Sequence, residues 1–377
     1  MNTIMGNSFG DIIKNGLQSL FGKESNRSAL GVDIGSSSIK LVQIKKQGGK
    51  AVLETYGALA LGPYMQTDVG QVVNAPVDVI AQALTDLIKE ANVTTNFGVV
   101  AIPSLSSFMS VISLPSGVDK DKFAEIIPNE ARKYIPIPMS EVTLDWWPIP
   151  RQVESFEENE GGVRPEVKNE VLLVAIHNDT LTKYKDVLTK VGLTADFFEL
   201  EIFSSVRSTF SHDIAPVLFI DFGASKTKLS IVEYGIIRVF HIVNRGGADI
   251  TKNISQSLSI PFKDAEQIKR EVGLDINTNK DVAEIVSLSV EYMLSDANNI
   301  VLAFEKKYNK SISKVILSGG GALTKGLLPR ATENFRAEVI YGAPFSKTEA
   351  PAFLTPVLEV SGPEFAASVG IALRQLS

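Results

Sequence analysis

Residues 29–42 read ALGVDIGSSSIKLV and residues 217–230 read VLFIDFGASKTKLS, so the chain carries one pattern twice at a constant offset of 188 residues. In each copy an apolar run ends in Asp-x-Gly-x-Ser, and a lysine follows the aspartate by seven positions. Asp33, Gly35, Ser37, Lys40 and Leu41 thereby correspond to Asp221, Gly223, Ser225, Lys228 and Leu229. Chance turns do not keep register in this way, so the repeat points to two similar half-domains. Both copies have the grammar of strand, tight turn, strand: β-branched and apolar residues, a Gly/Ser cluster, then alternation again.

Such a turn has a chemical use. Glycine and small hydroxyl residues let backbone N–H groups approach an anion, and an aspartate at a strand end can hold magnesium through its water shell. Two of them face to face would clamp a triphosphate. One Asp-x-Gly-x-Ser alone is equally the material of a structural hairpin; the matched pair carries the phosphate reading. A third element, Ser318-Gly319-Gly320-Gly321-Ala322, follows the run Lys314-Val315-Ile316-Leu317. Three glycines at a strand end leave room for a nucleotide base or ribose, or form a structural loop. The stretch 323–335 after it is expected to be helical until Pro329 disturbs it. Residues 16–24 have one residue too many between their glycines for a P-loop and no Ser or Thr after Lys23, and neither a GxGxxG after a strand nor a GxSxG elbow occurs.

Composition removes other classes. The 377 residues include no cysteine, which rules out disulfides, thiolate zinc sites, iron–sulfur clusters and a cysteine nucleophile. An apolar content of 44% is that of a globular chain, here of roughly two to three domains. The net charge of −6 argues against a dedicated nucleic-acid binder. His177, His212 and His241 are scattered and lack metal-site spacing. No apolar run approaches the roughly 18 residues of a spanning helix, and the first residues lack signal-peptide order, so the protein is expected to be cytoplasmic. Near the N-terminus Phe9, Ile12, Ile13, Leu17, Leu20 and Phe21 share one helical face, with Asp11, Lys14, Asn15, Gln18 and Lys23 elsewhere. This amphipathic helix is expected to dock on the body or on a neighbouring copy. A membrane-surface foot is the alternative, weakened because Asp11 and Glu24 offset Lys14 and Lys23. Residues 22–28 read as a polar linker.

In order along the chain, these residues resemble the five motifs of the actin, sugar kinase and heat-shock chaperone superfamily of ATP-binding proteins. Residues 33–40 resemble its first phosphate loop, Glu199-Leu200-Glu201 to Arg207 the first connecting helix, and 221–228 the second phosphate loop. Residues 318–323 resemble the adenosine loop and Phe365-Ala366-Ala367-Ser368-Val369-Gly370 the second connecting helix. The opening SALGVDIGSSSIKL, the stretch Ala131-Arg132-Lys133-Tyr134-Ile135-Pro136-Ile137-Pro138, and Leu144-Asp145-Trp146 are similar to the FtsA-like PilM family of type IV pilus assembly. Related type II secretion and competence systems share this protein type. The resemblance covers the chain from about residue 28 onward.

The resemblance implies an α/β, actin-like ATPase fold of two duplicated halves with nucleotide in the cleft between them. After an N-terminal helix and linker (1–28), the expected subdomains are 1A (29–102, 193–214 and 360–377), an inserted 1C (103–192), 2A (215–245 and 312–359) and 2B (246–311). It also implies ATP and Mg2+ as cofactors. Asp33 and Asp221 would hold magnesium through water, and the backbone around Gly35, Ser36, Ser37, Ser38, Gly223, Ala224, Ser225 and Lys226 would cradle phosphates. Lys40 would reach a phosphate oxygen and Glu201 would orient an attacking water. Glu266 and Lys269 would touch adenosine, across from Gly319, Gly320 and Gly321; a Glu-x-x-Lys pair is also ordinary on a solvated helix face.

Between the motifs the patterning predicts strands over 98–102, 108–114, 142–149 and 171–176, and helices over 119–134 and 180–191. Pro128 kinks or delays the first helix, and Pro136 and Pro138 stop it. The acidic, glycine-containing stretch 154–170 reads as a hairpin loop. A helical stretch follows Arg245-Gly246-Gly247-Ala248-Asp249 to about residue 308, and the last helix covers 363–375. In PilM-like proteins a groove at subdomains 1A and 1C takes the cytoplasmic N-terminal tail of PilN, an inner-membrane protein. The resemblance implies that partner here, along with other pilus assembly components, and leaves self-association open. Phe123, Tyr134, Trp146 and Trp147 are candidate anchors or core residues. The resulting expectation is a cytoplasmic ATP-binding scaffold, peripheral to the inner membrane through its partners, with at most slow ATPase activity. A small-molecule kinase of the same superfamily and an FtsA-like cell-division filament protein are the rivals.

Overall fold

The computed structural model describes residues 27–114, 120–150, 169–211 and 213–377. The amphipathic residues 9–21, Asp119, most of the acidic stretch 154–170 and His212 lie outside the described residues.

The chain opens with β1 (Ser28–Ile34), β2 (Ser38–Gln47), β3 (Lys50–Ala60), α1 (Val77–Glu90) and β4 (Gly98–Ile102). A small unit follows, made of β5 (Ser107–Leu114), α2 (Phe123–Ala131), β6 (Val142–Pro148) and β7 (Asn169–His177). The elements α3 (Asn178–Val191), β8 (Glu199–Leu200) and α4 (Glu201–Thr209) return to the first half. The second half contains β9 (Val217–Phe222), β10 (Thr227–Glu233), β11 (Ile236–Val243), α5 (Gly247–Leu258), α6 (Phe262–Val272), α7 (Lys280–Tyr308), β12 (Lys314–Ser318), α8 (Leu327–Asn334) and β13 (Glu338–Tyr341). The chain closes with α9 (Thr355–Ser361) and α10 (Ala366–Leu376).

The repeat is visible as two five-stranded sheets of the same order, β3-β2-β1-β4-β8 and β11-β10-β9-β12-β13. In each, an antiparallel three-stranded meander is extended by a strand parallel to its first member. The two Gly/Ser turns join β1 to β2 and β9 to β10, and the register sets Asp33 opposite Lys40 and Asp221 opposite Lys228. Strand β4 is buried at every residue because helices cover both faces of the sheet. Val100 and Ile102 meet Ile80, Leu84 and Tyr184 from α1 and α3 on one side, while Val99 and Ala101 meet Ala367 and Ile371 of α10 on the other. Helix α10 then crosses α4 so closely that a Cβ on Gly370 would collide with the Ser204 carbonyl. Glycine at that position lets the two helices connecting the halves touch backbone to backbone. Arg207 and Arg374 both bind the Glu199 carboxylate beneath this crossing.

The small unit is a three-stranded sheet, β5-β7-β6, packed on α2 through Ile112, Leu114, Phe123, Ile127, Val171 and Leu173. The helix expected over 119–134 is shorter. Pro128 lies inside α2, which ends at Ala131, and the N–H groups of Lys133, Tyr134 and Ile135 then close on the carbonyls of Glu130 and Ala131. Proline cannot donate to the helix ladder, and its ring crowds the preceding turn. Pro329 behaves differently from expectation. It is the third residue of α8, where N–H groups have no helical acceptor, so the helix starts just before it rather than breaking there.

Two segments depart from the expected subdomain boundaries. Helix α3, grouped with 103–192, packs on the first sheet, where Tyr184, Val187 and Leu188 join its core. Residues 344–359, grouped with the second half, also pack on the first half. Phe345 and Leu358 share a cluster with Val42, Ile44 and Leu53, and Glu349 hydrogen-bonds the edge of β3 at Ala51 and Leu53. Long-range pairing of that edge overrides sequence order. Among the described residues no helix is long and apolar enough to cross a membrane.

Candidate functional site

The two like turns open into one cleft of about 680 Å3 between the sheets. The residues singled out in sequence for nucleotide and magnesium line it: Asp33, the turn residues of both loops, Lys40, Glu201, Asp221, Glu266, Lys269 and the three glycines from Gly319. The turns share a local geometry. The Gly35 N–H donates to the Ser38 carbonyl at 3.0 Å, and the Gly223 N–H donates to the Lys226 carbonyl at 3.1 Å. Their carbonyls are satisfied from outside: Ser36 and Ser37 accept from Val73 and Leu61, and Gly223 and Ala224 accept from Gly247 and Ala248. The N–H groups of Ser36, Ser37, Ala224 and Ser225 find no acceptor among the described residues. Four donors on two facing turns are the equipment of an anion site.

The triple-glycine loop abuts the second turn. Gly319 has φ +80°, and a Cβ there would collide with an Asp221 carboxylate oxygen. Its N–H and the Ser318 hydroxyl both donate to the Pro363 carbonyl at 2.8 Å, which ties the loop to the start of the final helix. Only glycine combines that backbone conformation with that approach.

The charges are distributed unevenly. Lys228 is buried, and its Nζ lies 2.8 Å from Asp221 Oδ2 and 2.8 Å from Glu201 Oε1, so it joins the second turn to α4 of the first half. Burial lowers the ammonium pKa, but the two carboxylates outweigh it and hold the group above its ordinary value. Glu201 Oε1 also accepts the Ser104 N–H at 2.8 Å. In the first turn Lys40 donates instead to Ser38 Oγ at 2.9 Å. Asp33 accepts no hydrogen bond and forms no ion pair among the described residues. Burial pushes its carboxyl up to about 6; Lys40 opposes this and Glu201 adds to it, with smaller opposed contributions from Lys228 and Asp221.

On the other wall, Glu266 Oε2 accepts from Lys269 at 2.6 Å, and Oε1 accepts from Arg270 at 2.8 Å. Lys269 also donates to Gly247 O and Thr251 Oγ1, so this pair is committed to itself and to its own helices. Burial works against the Glu266 carboxylate, yet these donors hold its pKa below the usual value, while burial lowers that of Lys269. Gly70, at φ +88°, brings the first half against Glu266, with a Cβ position 2.8 Å from Glu266 Cδ.

Of the four candidate aromatic anchors, Phe123 is buried in the small unit and Trp146 packs on that core. Trp147 meets Phe203 with ring centroids 5.6 Å apart. Tyr134 alone of the four is open to solvent, at 43%. Lys228 is the functional residue that sequence reasoning leaves out of the site. Its equivalence to Lys40 is the available signal; its link to Glu201 is tertiary and has no local signature.

A family model described as Type IV pilus assembly protein PilM matches residues 31–376. Among solved structures, the chain is similar to the PilM-PilN type IV pilus biogenesis complex at TM-score 0.77 and 22% identity, covering 93% of this chain and 99% of that one. It is also similar to MreB 5 of Spiroplasma citri bound to AMPPNP at TM-score 0.50 and 13% identity, covering 93% and 96%. The expected actin-like ATPase fold is thus the observed one. Among curated proteins, cell division protein FtsA of Escherichia coli (strain K12) is 24% identical over 217 residues, covering 50% of this chain and 51% of that protein. FtsA of Enterococcus faecalis (strain ATCC 700802 / V583) is 23% identical over 357 residues, covering 82% and 77%. The match to the Escherichia coli relative spans about half of that protein's length.

Proposed function

The chain belongs to the PilM family of type IV pilus assembly proteins, and from that premise we propose that it is an ATP-binding, actin-like scaffold that docks on the cytoplasmic tail of a PilN-type inner-membrane protein. The observation that carries the nucleotide part is the convergence of two like turns on one cleft, with four N–H groups lacking a protein acceptor. The turns would hold phosphates, with Lys40 reaching a phosphate oxygen and the glycines from Gly319 receiving the adenosine.

The residues fit Mg2+ as well. Magnesium keeps several waters and takes one or two carboxylates. Asp33, unpaired in the cleft, is suited to that role, while Asp221 shares its charge with Lys228. When bound, the ion would supply charge neutralisation on the phosphates. Glu201 takes both Lys228 and the Ser104 N–H on Oε1, so Oε2 is the oxygen that would orient an attacking water.

A ligand held by both halves favours their closed arrangement, and that preference is what a partner site at the first half and small unit would read. Similarity to a PilM protein that forms a complex with PilN supports the partner class. Through that partner the protein would sit in the cytoplasm against the inner membrane. The test is calorimetric titration with Mg-ATP and with a synthetic N-terminal PilN-type peptide, each in the presence and absence of the other. Peptide binding with an affinity that changes on adding nucleotide is expected. No binding of either ligand would sink the reading.

A further inference from the structure

Helix α9 and the 3-10 turn Ala352–Leu354 that leads into it carry apolar residues of two kinds. Leu358 turns inward and shares a core with Val42, Ile44 and Phe365, with Leu354 packed against it. The others, Phe353, Val357 and Val360, are 79%, 50% and 70% exposed. Val357 and Val360, three residues apart in the helix, share one face, Phe353 stands exposed just before its first turn, and the inward Leu358 is enough to seat so short a helix. A contiguous apolar stripe left in water marks a contact surface.

The position of the stripe indicates what can reach it. The described chain begins at Arg27, whose carbonyl accepts from the Lys46 N–H of β2 at 3.2 Å. Lys46 pairs with Ala51 of β3, and the Ala51 carbonyl accepts from the Glu349 N–H at 2.7 Å. Three strand spacings put Arg27 about 14 Å from Glu349. Phe353 is four residues, at most about 14 Å, further on. The six steps from Phe21 to Arg27 reach about 20 Å when extended, and the residues before Phe21 lengthen that reach. The residues preceding Arg27 are therefore long enough to lay their apolar face along this stripe.

We propose that residues 9–21 dock on α9 of the same chain, with Phe9, Ile13, Leu17 and Leu20 covering Phe353, Val357 and Val360. The N-terminus would then be fastened to the segment that packs beside the second connecting helix, at Phe365.

The absence of cysteine gives a test without background. Leu17→Cys and Val357→Cys are introduced together into the full chain, which is oxidised and run without reductant. A fast-migrating, internally linked monomer is expected, and adding Phe353→Glu should cut its yield at least fivefold. A disulfide-linked dimer would assign the stripe to a second copy and overturn the proposal, as would the absence of any link. A second readout does not depend on the cysteine variant. Amide exchange over residues 352–361 should be at least tenfold faster in a full chain carrying Ile13→Glu and Leu17→Glu than in the unmodified protein. Equal rates would overturn the docking, and binding of the unmodified protein to anionic vesicles with unchanged exchange at α9 would assign the apolar face to lipid.

Discussion

Ser38 of the first turn and Lys226 of the second occupy the same place in the repeat, and that one difference separates the electrostatics of two otherwise matched loops. Both turns set an aspartate opposite a lysine in the same register. In the first, a hydroxyl lies within reach, and Lys40 donates to Ser38 Oγ rather than to Asp33. In the second, a lysine cannot accept, and Lys228 falls back on Asp221 and on Glu201 from the opposite half. One loop thus presents an unpaired carboxylate to the cleft, while the other presents a neutralised one that also straps the halves together. Equal backbones do not make equal sites.

The comparison breaks most visibly if its two lysines are removed. Lys228→Ala leaves the buried Glu201 and the partly buried Asp221 carboxylates without their cation, and loss of one partner of a buried pair costs about 3–5 kcal/mol. Lys40→Ala loses a partly buried hydrogen bond worth about 1 kcal/mol. Denaturant unfolding of the two variants should show that difference, and equal costs would remove the asymmetry.

The next largest effect is on ligand affinity. Asp33→Ala should weaken Mg-ATP binding by about tenfold to a hundredfold, about 1.4–2.8 kcal/mol, with the far-ultraviolet spectrum unchanged. Asp221→Ala should weaken it less, because that carboxylate already shares its charge with Lys228. Calorimetry that returned wild-type affinity for Asp33→Ala would end the magnesium role of the first turn.

Protonation gives a smaller and more specific signature. Asp33 is pushed up from 3.8 to about 6, so protons compete for it as pH falls through about 6, and Mg-ATP affinity should fall several-fold between pH 7.5 and 5.5. Folding responds with the opposite sign. A raised carboxyl pKa means that ionisation destabilises the fold as pH climbs from about 4 to about 6, by up to about 3 kcal/mol, and that this cost is absent below the window. Asp33→Asn should therefore be more stable than wild type at pH 7 and bind Mg-ATP without the slope. A slope that persisted in the variant would assign it to another group.

The sequence made the turns legible because their signal is local: Gly and Ser between apolar runs, in fixed register with an aspartate. It made the two-sheet plan legible because the plan is that same signal written twice. What it hid is tertiary. Nothing near Lys228 announces Glu201, a residue 27 positions earlier on another element, and nothing near Glu349 announces that it pairs with the edge of β3. Pro329 departs from expectation because a helix start and a helix break share one residue type, and only the position of the first turn separates them. The aromatic candidates split between core and surface for a related reason: packing covers Phe123 and sets Trp147 against Phe203, and leaves Tyr134 43% exposed.

The finest prediction concerns the residue that separates the turns. Ser38→Ala deletes the acceptor that holds Lys40 while leaving the backbone bond from Gly35 to the carbonyl of residue 38 intact. Lys40 stands opposite Asp33 across the strand pair, as Lys228 stands opposite Asp221. Freed of Ser38, it has the same course open to it as Lys228 took, towards its cross-strand carboxylate. The first turn should then resemble the second, with Asp33 paired and its titration moved down from about 6 towards the ordinary range, a change of about one unit. Carboxyl-carbon resonances of Asp33 followed against pH in the variant and the wild type would read this directly. A midpoint that stays at its wild-type position would show that burial alone sets the charge of the first turn, and that Ser38 has no part in the difference between the two.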